Sequence, residues 1–118
     1  MDYELTDAHK LIRDTARRIA REKVAPRAAE LDESGEYPHD LFGVFAEAGL
    51  LGLTVPEQYG GSGAGFLALA LAVEEVAKHC NSSALILLLS ALWTQPINLG
   101  GSDDQKRRWL PRSAAGEI

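Results

Sequence analysis

The sequence predicts an all-α domain, and three observations carry that reading. Leu5, Ala8, Ile12, Ala16, Ile19, Ala20 and Val24 recur at three- and four-residue spacing. Two further stretches, residues 66–80 and 83–99, are rich in Ala and Leu and long enough for several helical turns. Thr6, Pro38 and Ser102 stand where helices would begin. With 118 residues, the chain is long enough for one compact core, assigned to residues 1–118, and too short for two comfortable domains.

The first helix spans residues 6–24, with Thr6 as N-cap and Asp7 near the positive end of the helix dipole. Its polar face holds Arg13, Asp14, Arg17, Arg18, Arg21 and Glu22. Pro26 lacks an amide donor and disfavours helix at Ala25, so a kink or break is expected there, with helix continuing to Leu31. Residues 32–37 read as a polar connector. Pro38 suits a first helical turn; Leu41, Phe42, Phe45 and Leu50 follow at helical spacing, and Gly49 suits a left-handed cap. Residues 51–55 are apolar and short, extended or irregular. Four glycines between Gly60 and Gly65 mark a loop that needs positive φ angles or close backbone approach.

Asn81 and Ser82 break the pattern after residue 80 and can cap the next helix, residues 83–99. That segment is apolar nearly all round, from Ala84 through Trp93, and such a helix is buried on every side. Few elements remain to cover it, so some of its surface is expected to meet another domain, a subunit or an apolar ligand. Pro96 should kink it and Gly100-Gly101 end it. Ser102-Asp103-Asp104-Gln105 is a capping-box pattern that opens a short last helix, expected to stop before Pro111.

Composition excludes several classes of function. Twelve Lys and Arg against seventeen Asp and Glu leave a net charge of −5, so no overall basic field invites nucleic acid. One cysteine, Cys80, permits neither an intramolecular disulfide nor a Cys-based zinc site, and His9, His39 and His79 are scattered, so no metal is expected. The N-terminus has no basic start followed by an apolar stretch, and no continuous apolar run approaches the roughly 20 residues that span a bilayer. The expected compartment is the cytoplasm. The glycine loop is followed by Phe66-Leu67 where a Walker loop needs Lys and Ser or Thr, and no βαβ unit surrounds it. Glu74-Glu75 and Asp103-Asp104 are sequence neighbours that converge on no common atom, and Ser82, Ser83 and Ser90 have no His or Asp partner at a supporting spacing. No catalytic constellation is visible in the chain.

A succession of segments nevertheless resembles one family. Arg21-Glu22-Lys23-Val24-Ala25-Pro26 is followed by Leu31-Asp32 and Gly35-Glu36-Tyr37-Pro38. Glu47-Ala48-Gly49-Leu50-Leu51-Gly52-Leu53 comes next, then Val55-Pro56-Glu57-Gln58-Tyr59-Gly60-Gly61-Ser62-Gly63. After Glu74-Glu75-Val76-Ala77 stand Gly100-Gly101-Ser102-Asp103-Asp104-Gln105-Lys106 and Trp109-Leu110-Pro111. In this order and spacing, from Leu5 to Glu117, the chain resembles the N-terminal helical domain of the acyl-CoA dehydrogenase family.

The resemblance implies a flavoenzyme that oxidises the α,β-bond of an acyl-CoA thioester. In that family a carboxylate removes the α-proton, the β-hydrogen passes as hydride to FAD, and electrons usually go on to an electron-transferring flavoprotein. The family is commonly tetrameric and adds a β-domain and a C-terminal helical bundle, both absent from this chain, which ends where the β-domain would begin. The catalytic carboxylate and most flavin contacts belong to those regions, so no catalytic or cofactor-binding residue is expected here and the isolated chain should be inactive. The missing domains would come in cis or from a partner chain in trans. What the resemblance assigns to this domain is part of the acyl-chain pocket, at Ala84, Leu85, Leu88 and Leu92, and packing against the other domains. Apolar residues at the first three positions fit an aliphatic acyl chain rather than a dicarboxylic one. Ordinary core packing is the competing role for each of them. A related acyl-CoA oxidase or flavin monooxygenase, or a stand-alone helical interaction module without redox chemistry, is the alternative.

Overall fold

The computed structural model describes residues 3–118; among them there are six α-helices and no strand. They are α1 (Asp7–Ile19), α2 (Ala28–Ser34), α3 (His39–Glu47), α4 (Phe66–Ala77), α5 (Asn81–Gly100) and α6 (Asp103–Ala114). The molecule measures 42 × 38 × 20 Å. Its thin dimension equals two helix layers at about 10 Å each.

The Thr6 hydroxyl accepts the His9 amide at 3.1 Å and opens α1 as expected. Pro26 does not break the path. The chain widens into a π-helical stretch, Ala20–Val24, where the Ala25 amide reaches back to the Ala20 carbonyl, and then tightens into the 3-10 turn Ala25–Arg27. That change of pitch absorbs the missing proline donor, and helix resumes as α2 to Ser34, three residues into the expected connector. Pro38 stands at the N-cap of α3, and Gly49 adopts the left-handed conformation with φ +76°.

Residues 50–65 hold two 3-10 turns, Leu50–Gly52 and Glu57–Tyr59, and fold back on themselves, with the glycines from Gly60 to Gly65 in the loop that was expected there. The amides of Gly61, Ser62, Gly63 and Gly65 donate to the carbonyls of Pro56, Gly52, Val55 and Leu53. Gly61 is required by space: a Cβ there would lie 2.1 Å from the Val55 carbonyl oxygen. These amides are spent inside the loop, which accounts for its glycines without a phosphate.

One core joins α1, α3, α4 and α5. Ala16, Ala20 and Val24 from α1 and its extension, Phe45 from α3, Ala72 and Val76 from α4 and Leu87 from α5 are fully buried in it. The alanines let helix axes come close. A second, smaller cluster of Val55, Leu110 and Ala114 seats α6 against the glycine-rich loop, and Gln95 Nε2 donates to the Thr54 carbonyl at 3.2 Å, tying α5 to the same loop.

Two local expectations are corrected. α5 begins at Asn81 with Cys80 in the extended N-cap position, so Asn81 and Ser82 lie in the first turn and cap nothing; Ser83 Oγ instead donates to Cys80 Sγ at 3.1 Å. At its other end α5 runs through Pro96 to Gly100, ending where Gly100-Gly101 was expected to end it. The last helix opens with the complete Ser102–Gln105 capping box but does not stop before Pro111; it continues to Ala114. A proline inside a helix costs about 3 kcal/mol. Burial of Leu110, Ser113 and Ala114 on either side of Pro111 offsets it.

Candidate functional site: the outward face of α5

α5 is not buried on every side. Ser83, Ala84, Ile86, Leu87, Ala91 and Thr94 face the core, while Leu85, Leu88, Leu89, Leu92, Trp93 and Leu99 face outward. At 100° per residue the outward six fall within an arc of about 140°. Leu92 is 66% and Leu99 82% exposed, and Phe66 and Leu67 at the start of α4 add two more large apolar side chains. An apolar face of this size is the mark of an interaction or ligand surface rather than of scattered surface leucines. By length and composition α5 could also cross a membrane; a third of it is packed inside this fold.

Two grooves divide the face. The first, about 370 Å³, lies between the start of α4 and the C-terminal half of α5, with Phe66, Leu69, Leu88, Leu92, Pro96 and Leu99 among its walls. Gln95 is its one polar side chain, and that amide is already engaged with Thr54. The second groove is lined by Leu85, Leu89 and Trp93 together with Tyr37, Phe42 and Ile118. Ser90 Oγ, in the second groove, donates to the Leu87 carbonyl at 2.7 Å, and Thr94 Oγ1, buried behind the face, donates to the Ser90 carbonyl at 2.8 Å.

The four residues singled out in the sequence therefore separate. Leu88 and Leu92 share the first groove, Leu85 lines the second, and Ala84 is 2% exposed and packs in the core. Neither groove is lined by an Asp, Glu, His, Lys or Arg; the second holds the Tyr37 phenol, and the first holds no group that could move a proton. An apolar chain is what the first groove can hold.

Charged chemistry lies elsewhere. Glu75 on α4 is the one buried charged residue among those described. Hydrogen bonds from Arg17 hold its carboxyl down at about 2 against the opposing cost of burial, with Lys78 assisting. Glu74 is solvent-exposed, so the neighbouring carboxylates diverge as their adjacency implied. A carboxylate ionised and gripped by two cations is a structural anchor and a poor general base. Sequence reading missed the Arg17 contact; Lys78, three residues on, was its only local signal. No group of three or more His, Cys, Asp or Glu residues able to hold a metal occurs among the described residues.

Comparison with known proteins fits this geometry. The profile of the acyl-CoA dehydrogenase N-terminal domain matches residues 6–117. A probable acyl-CoA dehydrogenase of Bacillus subtilis is 38% identical over 98% of this chain, which spans 31% of that relative. Butyryl-CoA dehydrogenase from Megasphaera elsdenii superposes with a TM-score of 0.91 at 33% identity, over 99% of this chain and 32% of its own. A chain solved in work on the electron transferring flavoprotein of Acidaminococcus fermentans superposes at 0.93 with 34% identity, over 98% of this chain and 31% of its own. The chain thus spans about a third of the length of the proteins it matches, and all of the match lies in one helical unit. It belongs to the acyl-CoA dehydrogenase family, as that family's N-terminal domain.

Proposed function

We propose that this domain serves a flavin-dependent acyl-CoA dehydrogenase and that the outward face of α5 is its contribution. Leu88 and Leu92, with Phe66, Leu69 and Leu99, form one wall for an aliphatic acyl chain. The second groove, with Leu85, Leu89 and Trp93, packs against a neighbouring domain. Ala84 would shape the pocket from behind, through the core, because its methyl group does not reach the groove. The observation that carries this reading is an open apolar groove with no titratable group in its walls.

FAD is the cofactor we propose for the complete enzyme, held outside this domain. The residues present here do not fit it: the glycine-loop amides are consumed internally, and the grooves offer a flavin no ionic partner. Proton abstraction and electron transfer are accordingly assigned to no residue of this chain. The resemblance further supports an acyl-CoA substrate, an electron-transferring flavoprotein as acceptor, a homotetrameric complete enzyme and a cytoplasmic location. The test is chain-length specificity of the flavin-loaded complete enzyme. Narrowing the first groove with Leu92→Trp should shift preference towards shorter acyl-CoA esters. An unchanged preference would remove α5 from the acyl pocket.

A further inference from the structure

The chain carries its charge unevenly. Residues 10–27 hold seven Lys and Arg against two Asp and Glu, a local balance of +5 in a chain whose total is −5. Lys10, Arg13, Arg17 and Arg21 follow one another at spacings of three, four and four, which sets them in a row about 16 Å long on one side of the helix. The opposite side, with Ala16, Ile19, Ala20 and Val24, is buried.

Not all of this charge is spent within the fold. Arg17 is committed to Glu75, Arg13 to Asp14, and Arg27 to Glu30 and Asp40. Lys10, Arg18, Arg21 and Lys23 are exposed and form no ion pair among the described residues. Asp14 and Glu22 are the only carboxylates in the stretch. Arg13, Arg17, Arg18 and Arg21 border a shallow concavity with those two acids, and the pair to α4 holds the helix that displays it. An exposed cluster of like charge loses stability through self-repulsion unless a counter-charge meets it.

We infer that the solvent face of α1 and its extension, from Lys10 to Lys23, is a docking surface for the acidic face of a partner protein. The size and surroundings of the row favour a protein over other polyanions. The remainder of the chain carries −10, so a nucleic acid extending past a 16 Å row would run against like charge. A membrane surface would gain one apolar anchor on α1, the exposed Leu11, because Ala16, Ile19, Ala20 and Val24 are locked in the core. A folded partner can match the short row and end there.

The test uses this chain and a fluorescein-labelled polyglutamate peptide, with anisotropy as the readout. Binding should weaken about tenfold between roughly 50 and 200 mM salt. The exposed double variant R18A/R21A should lower affinity about tenfold at low salt. The variant K106A/R108A, which removes equal charge from α6, should leave it unchanged, with circular dichroism confirming that both fold. Equal loss in the two variants, or no peptide binding, would overturn the inference. So would tighter binding of single-stranded DNA or of vesicles rich in phosphatidylserine at the same salt.

Discussion

Arg17 on α1 and Glu75 on α4 stand 58 positions apart in sequence and meet in a two-pronged ion pair. Nη2 donates to Oε1 at 3.0 Å and Nε to Oε2 at 3.3 Å, and Lys78 Nζ reaches the same Oε1 at 3.1 Å. The pair clamps the helix packing that forms the core. Its worth lies between that of a surface pair, below about 1 kcal/mol, and that of a buried one, about 3–5 kcal/mol.

Arg17→Met should therefore destabilise the domain by about 2 kcal/mol, because it leaves a buried carboxylate with Lys78 alone. Lys78→Met, which removes the more exposed partner, should cost less than about 1 kcal/mol. Urea denaturation of the two variants measures both. Equal losses would mean that Arg17 holds no special position.

The same pair sets a pH dependence. Glu75 is shifted down from 4.5 to about 2, so its folded form binds a proton less readily than its unfolded form. The stability it contributes is full above about pH 5 and drains away as pH falls from there towards 2. Glu75→Gln should flatten that part of the stability–pH curve. A Gln variant whose curve runs parallel to wild type would assign the acid sensitivity to other groups.

Gly61→Ala should be far more damaging than Gly43→Ala. At Gly61 a methyl group would lie 2.1 Å from the Val55 carbonyl oxygen and 2.5 Å from Val55 Cβ, whereas nothing lies within 4 Å at Gly43. Overpacking of that kind costs about 3 kcal/mol, while Ala in the helical position 43 should gain up to about 1 kcal/mol. Thermal melts that rank the two in the opposite order would show that residues 50–65 are looser than the structure describes.

Leu88→Glu distinguishes the isolated domain from the complete enzyme. Leu88 is 45% exposed here, so the carboxylate should be tolerated in this chain within about 0.5 kcal/mol. In the complete enzyme it should cost several kcal/mol of transition-state stabilisation with long aliphatic substrates, by placing an unpaired charge in an apolar pocket. Unchanged turnover by a normally stable variant would take Leu88 out of the pocket.

What the sequence made legible was local. The caps at Thr6 and Ser102 rest on contacts three residues long, and both are present as read. Pro111 misled because its penalty is local, whereas the burial of Leu110, Ser113 and Ala114 that overrides it is tertiary. The partition of α5 was half legible: its apolar surface was plain, but which side meets the core depends on how α4 and the loop at Thr54 turn the helix. That rotation separates Leu88 and Leu92 from Leu85 and buries Ala84. Arg17 and Glu75 could not be paired by spacing at all. The family was legible because many short segments recur in order, a signal that no single residue carries.

The most direct test of the central claim is native mass spectrometry of the protein purified from its own source. These residues are expected within a larger assembly that carries FAD, with the remaining domains on the same chain or on a partner chain. A flavin-free species with the mass of these 118 residues alone, and no partner bound, would contradict it.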